Sequence, residues 1–257
     1  MSEKKIVFLA SNNASSRMVF NQLKAVFPIE KAITEKKQNA WLLIKKRAKR
    51  LGWLTVFGQI AFMGYAKCLR RCSEQRINEI KQHFNLDLSN LPEDITIRVN
   101  SANDRETIQL LQQLQPDIVV INGTRLLSKE LLASTDAVFI NMHAGITPAY
   151  RGVHGGYWAL ANHDANHCGV TVHLVDEGID TGNILYQSVI APTPSDNFIT
   201  YPLLQLAAGI PLLIQAVKDV QNNQIAIQPA KTNLDSKLRS HPTLWQYVYY
   251  RLRFGVK

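Results

Sequence analysis

Short apolar runs alternate with amphipathic segments along most of the chain. The runs rich in Ile and Val, which are typical of buried β-strands, are 4–10, 94–99, 117–122 and 137–142. Between them, residues 15–27 and 104–115 repeat apolar side chains at helical spacing. Strands that alternate with amphipathic helices are typical of a mostly parallel sheet covered on both faces. We therefore predict an α/β, Rossmann-like fold with helices on both faces of the sheet.

The same alternation continues through the second half of the chain. The pattern predicts a helix over 154–164, strands over 169–175 and 183–190, and a long apolar helix over 197–221. We predict one domain over 1–195. Residues 196–257 are expected to form a helical extension that packs on it.

Residues 30–80 interrupt this alternation and are predicted to form a helical, basic insertion. Within it, a mostly apolar run of 16 residues, 51–66, lies between basic flanks. This run is shorter than the roughly 20 residues that span a bilayer. The favoured interpretation is a helix that packs its apolar face on the domain. Two alternatives are peripheral membrane contact through 45–76, with Trp53 and Phe57 inserted among lipid headgroups, and nucleic-acid binding.

The positive charge of the chain is concentrated in this same region. The formal net charge is +9, and residues 31–76 alone hold twelve Lys or Arg against two Asp or Glu. Because the remainder is nearly neutral, the total charge is weak evidence for nucleic-acid binding, and no nucleic-acid partner is expected. The first residues show no secretory pattern and the three cysteines are predicted to be reduced, so we expect a cytoplasmic protein, with a location at the inner face of the membrane as the alternative.

Polar residues suited to catalysis follow two predicted strands. Asn141 and His143 lie in NMHAGITPAYRG (141–152), and Asp180 lies in VDEGIDTG (175–182). In open α/β sheets, ligands bind beyond the carboxyl ends of strands, so we expect these side chains to share a crevice. An amide that binds a developing oxyanion, an imidazole that transfers protons and a carboxylate that orients them suit acyl transfer to an amine. Taken singly, each residue is also explained as an ordinary turn or loop residue.

The other histidines are expected to be structural. His173 lies inside a predicted strand and is interpreted as a satisfied strand histidine. His154, His163 and His167 lie within fourteen residues of one another, but they do not combine with a third ligand at a spacing typical of a metal site. We predict no metal site.

The segments NMHAGITPAYRG and GVTVHLVDEGIDTGNIL (169–185) resemble the catalytic domain of the folate-dependent formyltransferases. This superfamily includes the glycinamide ribonucleotide, methionyl-tRNA and sugar N-formyltransferases. The shared pattern is Asn-x-His, then a proline and Arg-Gly, then an acidic glycine-containing loop. The resemblance is strong over about 117–190, weaker at the first strand and helix, and absent over about 30–90. It makes 1–195 the expected catalytic domain.

The resemblance implies a role for each matching residue. Asn141 and His143 would polarise the formyl group of 10-formyltetrahydrofolate and transfer protons, and Asp180 would position His143. The residues expected to hold the pterin of this donor are Arg125, Leu126, Leu127, Val175, Asp176 and Gly178, with backbone groups of Arg125 and Leu127 at the pterin edge. The chain departs from the family where Gly145 replaces a common serine and Thr147 a common leucine.

The acceptor is less well determined by the sequence. Too few residues follow 190 for the C-terminal β-barrel expected of a transfer-RNA formyltransferase, and ASNNASSR (10–17) lacks the glycines of the purine-pathway phosphate loop. We therefore expect an amino sugar, carried on a nucleotide or a lipid, as the acceptor in surface glycan biosynthesis. The alternatives are a glycinamide ribonucleotide-type or other small amine, and a non-catalytic module that binds folate or a nucleotide sugar.

Overall fold

The computed structural model describes residues 4–230 and 235–257. Its strands are β1 (Ile6–Ser11), β2 (Lys31–Glu35), β3 (Thr96–Val99), β4 (Ile118–Asn122), β5 (Val138–His143), β6 (Tyr150–Gly152), β7 (Gly169–Leu174), β8 (Ile184–Val189) and β9 (Lys237–Arg239). Its α-helices are α1 (Ala14–Lys24), α2 (Ala40–Leu51), α3 (Trp53–Cys72), α4 (Glu74–His83), α5 (Arg105–Leu114), α6 (Lys129–Leu132), α7 (Gly155–Ala161), α8 (Tyr201–Gln221) and α9 (Leu244–Phe254).

Seven strands form the main sheet in the order β3-β2-β1-β4-β5-β7-β8. The first five of these pair in parallel, whereas β7 runs antiparallel to β5 and β8 antiparallel to β7. The prediction of a mostly parallel α/β sheet is therefore confirmed. The short strands β6 and β9 form a separate parallel pair, in which Gly152 lies opposite Arg239.

Apolar layers cover both faces of the sheet because successive strand residues point to opposite faces. On β1, Phe8 belongs to the layer that includes α1 and α8, and Leu9 belongs to the layer that includes α5 and α6. Helix α8 is long and apolar enough to cross a membrane by length and composition. In this structure it lies against β5, β7 and β8, with Leu213 and Val217 buried in the core.

The predicted insertion at 30–80 begins later than expected. Residues 31–35 form β2, which lies inside the sheet between β1 and β3. The sequence KAITE looks polar, but Ile33 and even Glu35 are buried there, and Ile33 pairs with Leu9 and Ile97. The helical, basic part of the segment therefore comprises α2, α3 and α4.

An aromatic cluster attaches α3 to the end of the chain. Phe62 of α3 packs against Phe198 and Tyr247, with ring centroids 4.7 and 4.9 Å apart. Tyr247 belongs to α9, so α3 and α9 lie side by side. The segment 196–257, which was predicted to be helical, contains α8 and α9, but it also contributes strand β9.

Gly58 of α3 is the point of closest approach to α9. A Cβ at Gly58 would lie 2.2–2.6 Å from ring atoms of Trp245, whereas nothing lies within 4 Å of a Cβ at Gly64 on the same helix. We expect Gly64→Ala to raise the free energy of unfolding by about 0.5–1 kcal/mol, since alanine favours a helix over glycine. Gly58→Ala should lose this gain because the Trp245 ring must move.

Urea unfolding of both variants, with tryptophan fluorescence of the folded state, tests this packing. The expected result is a lower denaturation midpoint for Gly58→Ala than for Gly64→Ala, together with a red-shifted emission in Gly58→Ala alone. Equal gains in stability at the two positions, with unchanged emission, would show that Trp245 does not depend on the space at Gly58.

Candidate active site

Asn141 and His143 are two residues apart on β5 and therefore point to the same face of the sheet. His173 lies directly opposite Asn141 on β7. Asp180 follows the carboxyl end of β7, as expected, and lines the same cleft as Asn141 and His143. Because β7 runs antiparallel to β5, this end of β7 lies beside Ile140. Asp180 reaches His143 because the loop after β7 folds back, with the Leu174 N–H donating to the Asn183 carbonyl at 2.9 Å.

Asp180 connects three segments of the chain. Its Oδ2 lies 3.3 Å from His143 Nδ1 and accepts the Gly152 N–H at 2.9 Å, and its Oδ1 lies 3.7 Å from His173 Nε2. Burial raises the pKa of this carboxyl, but His173, His143 and the Gly152 N–H together outweigh burial, and its pKa lies below the usual value. Asp180 is therefore a carboxylate at neutral pH.

His143 has a defined tautomer. Its Nε2 lies 2.8 Å from the Tyr150 carbonyl, which can only accept, so Nε2 carries the proton and donates it. Burial lowers the pKa of His143, although the Asp180 charge and the Tyr150 carbonyl raise it in part. The imidazole is thus neutral at neutral pH. Its Nδ1 lone pair can accept a proton, and the imidazolium so formed faces the Asp180 carboxylate.

His173 is buried and hydrogen-bonded, and it also orients Asn141. Its Nδ1 lies 2.6 Å from the Leu174 carbonyl and therefore donates to it, which leaves Nε2 to accept from the Asn141 amide at 3.1 Å. One N–H of the Asn141 amide is thereby held in place, and the other is available to a ligand oxygen. The sequence analysis missed this function of His173; its position opposite Asn141 becomes evident only from the strand pairing.

One cleft of about 530 Å³ is lined by all four polar residues of the site, Asn141, His143, His173 and Asp180. Of the residues predicted to hold the pterin, Arg125, Leu126, Leu127, Val175 and Gly178 also line this cleft. Asp176 does not line it, since its carboxylate accepts from the Gly178 N–H and the Thr181 hydroxyl. Asp176 therefore shapes the loop that holds Asp180.

Arg125 differs from its predicted role. Its backbone N–H donates to Glu35 Oε1 at 2.8 Å, and its Nε donates to Glu35 Oε2 at 2.6 Å. That N–H is therefore engaged, so the predicted contact of the Arg125 backbone with a pterin edge rests on its carbonyl. Glu35, which the sequence analysis did not identify, also accepts the Ala102 N–H and thereby joins the segment after β3 to the loop that follows β4.

A second cleft of about 360 Å³ adjoins the first and shares Met142 and Ala144 with it. Its walls are largely apolar, and its basic side chains are Arg70 and Lys81 from the inserted helices. Ser15 also lines this cleft, but its hydroxyl donates to Asn122 Oδ1 at 3.1 Å. Two clefts therefore meet at the strand that carries Asn141 and His143.

The three clustered histidines of the sequence have separate partners. His154 lies 2.9 Å from His241, His163 packs on Phe254, and His167 bonds Asp164. Over 4–230 and 235–257, no group of three or more His, Cys, Asp or Glu side chains is arranged to hold a metal ion. The free thiols are those of Cys68 and Cys72, which are exposed, and of Cys168, which is buried.

Comparison with known proteins identifies relatives of this chain. A family model described as formyl transferase matches residues 64–202, which is more than half of the chain. The methionyl-tRNA formyltransferase of Syntrophus aciditrophicus is 33% identical over 135 residues, which are 52% of this chain and 43% of that protein. That of Thermodesulfovibrio yellowstonii is 34% identical over 127 residues, 49% of this chain and 41% of the relative. The chain thus spans less than half the length of these curated relatives.

Solved structures share the fold. The phosphoribosylglycinamide formyltransferase of Streptococcus pneumoniae has a TM-score of 0.55 and 22% identity, covering 84% of this chain and 98% of that one. An N-formyltransferase from Helicobacter canadensis, in complex with folinic acid and dTDP-3-aminofucose, has a TM-score of 0.55 and 20% identity, covering 92% and 71%. The family match begins at residue 64, inside α3, and so includes part of the region, 30–90, where no resemblance was expected.

The Asp180 charge is predicted to control the protonation of His143. Because this charge raises the pKa of His143, Asp180→Asn should lower that pKa further. Glu177→Gln is the matched control. Glu177 lies in the same loop as Asp180, and its exposed carboxylate pairs with Lys129 of α6. NMR titration of the imidazole should show a pKa below about 6.5 in the wild type and a lower one only in Asp180→Asn.

The same shift affects stability. The pKa of His143 is lower in the folded than in the unfolded chain, so the unfolded chain binds more protons, and stability should decrease as the pH falls below about 6.5. An unchanged His143 titration in Asp180→Asn would contradict the coupling inferred from the 3.3 Å contact.

Proposed function

Because this chain belongs to the formyl transferase family, whose model matches residues 64–202, we propose that it transfers a formyl group from 10-formyltetrahydrofolate to an amine. The single observation that supports this most is the arrangement of Asn141, His143 and Asp180 on the wall of one cleft. A largely buried carboxylate, a neutral imidazole with one unprotonated nitrogen and an amide with one N–H not bonded to His173 are the groups that this transfer needs.

The first cleft is suited to the donor. Ile121, Leu127 and Val175 give it apolar walls on which a flat ring can pack, next to the backbone of the loops after β4 and β7. The Helicobacter canadensis neighbour of the same fold was solved in complex with folinic acid, which is a formyl derivative of the same reduced folate. These features support a folate in the first cleft with its formyl group at Asn141.

Each of the three polar groups has a distinct role in the proposed transfer. The free N–H of Asn141 donates to the formyl oxygen as negative charge develops on it. His143 Nδ1 accepts the proton that the attacking amine loses, and the Asp180 carboxylate stabilises the resulting imidazolium. His143 then returns this proton to the donor nitrogen as the bond from that nitrogen to the formyl carbon breaks. The products are a formamide and tetrahydrofolate, so atoms and charges balance.

The second cleft is suited to the acceptor. It meets the first cleft at Met142 and Ala144, so an amine held there lies next to the cleft that would hold the formyl group. Its apolar walls and the cations Arg70 and Lys81 favour an amine that carries both an apolar part and an anionic group. We therefore propose an amino sugar linked to a nucleotide or a lipid. One alternative is a small phosphorylated amine. The other is methionyl-tRNA, which the names of the curated relatives favour.

Incubation with 10-formyltetrahydrofolate and a panel of amines tests this function. The panel contains nucleotide-linked amino sugars, glycinamide ribonucleotide and methionyl-tRNA, and mass spectrometry identifies which amine gains one formyl group. His143→Ala should reduce the rate by about 100-fold or more, since it removes the proton acceptor. His83→Ala, at an exposed helical position, is the control and should leave the rate unchanged.

The outcomes separate the alternatives. Transfer to an amino sugar supports the proposal. Transfer only to glycinamide ribonucleotide, or only to methionyl-tRNA, would show that this amine is the acceptor and that the proposed amino sugar is wrong. Folate binding without transfer to any amine would identify a non-catalytic module, and the absence of both would overturn the proposed function.

We also propose peripheral contact with anionic membranes through the inserted helices. Trp53, Leu54 and Phe57 of α3 are 61–76% exposed. Basic residues of α2 and of the last turns of α3 flank them. Exposed apolar side chains between cations suit an anionic headgroup layer. A lipid-linked acceptor would be met at this surface, and Arg70, about 20 Å further along the same helix, lines the second cleft.

Liposome sedimentation tests the membrane contact. Deletion of 45–76 is unsuitable because it removes Phe62, which is 1% exposed in the aromatic cluster. Instead, Leu54→Ser with Phe57→Ser should reduce binding to anionic vesicles, and Ile227→Ser, an exposed apolar position elsewhere, should not. Wild-type protein that ignores anionic vesicles at low salt would refute the contact.

A further inference from the structure

One end of the first cleft is cationic. This end is built by α2, β9 and the segment that follows β9. Arg47 and Arg50 of α2 and Arg239 of β9 line it. Among all residues that line this cleft, Asp180 is the single acidic one. Since Asp180 is committed to His143, His173 and Gly152, it does not neutralise the arginines.

The β6–β9 pair connects this cationic end to the reacting groups. Gly152 donates its N–H to Asp180 and lies opposite Arg239 in the pair. Paired strands lie about 4.8 Å apart, so Arg239 is one strand beyond the residue that holds Asp180. The Val153 N–H also donates to the Arg239 carbonyl at 3.2 Å, which fixes the two segments together.

Among the described residues, the three arginines have no anionic partners, and aromatic rings hold Arg239 in place. Within 4–230 and 235–257, none of the three forms an ion pair with a carboxylate. The Arg239 guanidinium packs over the rings of Tyr150 and Trp158, at 5.6 and 5.4 Å, and its buried Nε has no hydrogen-bond partner in the described chain. Aromatic packing thus orients a cation whose hydrogen-bonding capacity is unused.

Arg47 acts on the neighbouring histidines. Burial lowers the pKa of His154 to about 3 and of His241 to about 4, and the positive charge of Arg47 contributes to both shifts. These imidazoles are therefore neutral at neutral pH and bond each other at 2.9 Å. The positive charge at this end of the cleft thus comes from the arginines alone.

We propose that Arg47, Arg50 and Arg239 form a subsite for an anionic group, a carboxylate or a phosphate, of the ligand that occupies the first cleft. Guanidinium groups bind both oxyanions through paired hydrogen bonds. The source of this group rests on the proposed function: it is either the glutamyl carboxylates at the tail of the folate donor or a phosphate of an acceptor that extends from the second cleft into the first. The helix α2 that supplies two of the three arginines lies outside the match to the family model.

Two binding measurements test the subsite with Arg47→Gln/Arg50→Gln. The control is Lys46→Gln/Lys49→Gln, which removes the same charge from exposed positions of α2 that do not line the cleft. Calorimetry measures the affinity of each protein for monoglutamyl and triglutamyl folinic acid, and separately for inorganic pyrophosphate. We expect the arginine variant to lose affinity about tenfold or more for at least one probe, and the lysine variant less than about threefold.

The pattern of losses identifies the source. A loss for triglutamyl folinic acid, larger than for the monoglutamyl form, assigns the subsite to glutamyl carboxylates, whereas a loss for pyrophosphate alone assigns it to a phosphate. Equal affinities in the arginine and lysine variants for every probe overturn the subsite. Failure of the wild type to bind folinic acid would count against the proposed function, while the pyrophosphate measurement still tests the arginines.

Discussion

The site depends on one largely buried carboxylate. Asp180 lies within a loop that folds back over the sheet, and an ionised group in that position is stable only with polar neighbours. Three segments supply them: the Gly152 N–H of β6 donates to Asp180, and the imidazoles of His143 on β5 and His173 on β7 lie 3.3 and 3.7 Å from its oxygens. Because each partner belongs to a different segment, satisfying this charge also sets the positions of the groups that would carry out the transfer.

Alternation along β5 explains why the two clefts meet where they do. Asn141 and His143 point to one face of the sheet, while Met142 packs toward α8 on the other, where a Cβ at Gly209 would lie 2.4 Å from its sulfur. One strand of six residues therefore separates the clefts and contributes to both. Each cleft is completed by the inserted helices, α2 at the first and α3 and α4 at the second. Of these three helices, α2 alone lies wholly outside the family match over 64–202.

The sequence predicts the parts of the fold that local pattern controls. β1, β4 and β5 are continuous Ile and Val runs, and buried parallel strands have this composition. β2 escaped prediction because its buried positions include Thr34 and Glu35, whose burial makes sense only once Arg125 and Ala102 bond to Glu35. The direction of β7 and the three-residue β9 were likewise not predictable, since antiparallel pairing and a strand partner 87 positions away leave no local pattern. Asn141, His143 and Asp180 were identified from a motif, whereas their partners His173 and the Tyr150 carbonyl required the tertiary structure.

The departure from the family pattern at Gly145 has a steric cause in this fold, whereas nothing in the structure explains the threonine at 147. A Cβ at Gly145 would lie 2.3 Å from the Tyr150 carbonyl and 2.6 Å from His143 Nε2, the two atoms whose hydrogen bond sets the tautomer of His143. Any larger residue would have to displace that carbonyl, so the serine common in the family is incompatible with this geometry. Thr147 is fixed by its backbone, which donates to the Thr171 hydroxyl and accepts from Gln187. The same Thr171 hydroxyl donates to the Gly145 carbonyl at 2.8 Å, so β7 holds this turn directly and takes over the support that a serine hydroxyl at position 145 could have given.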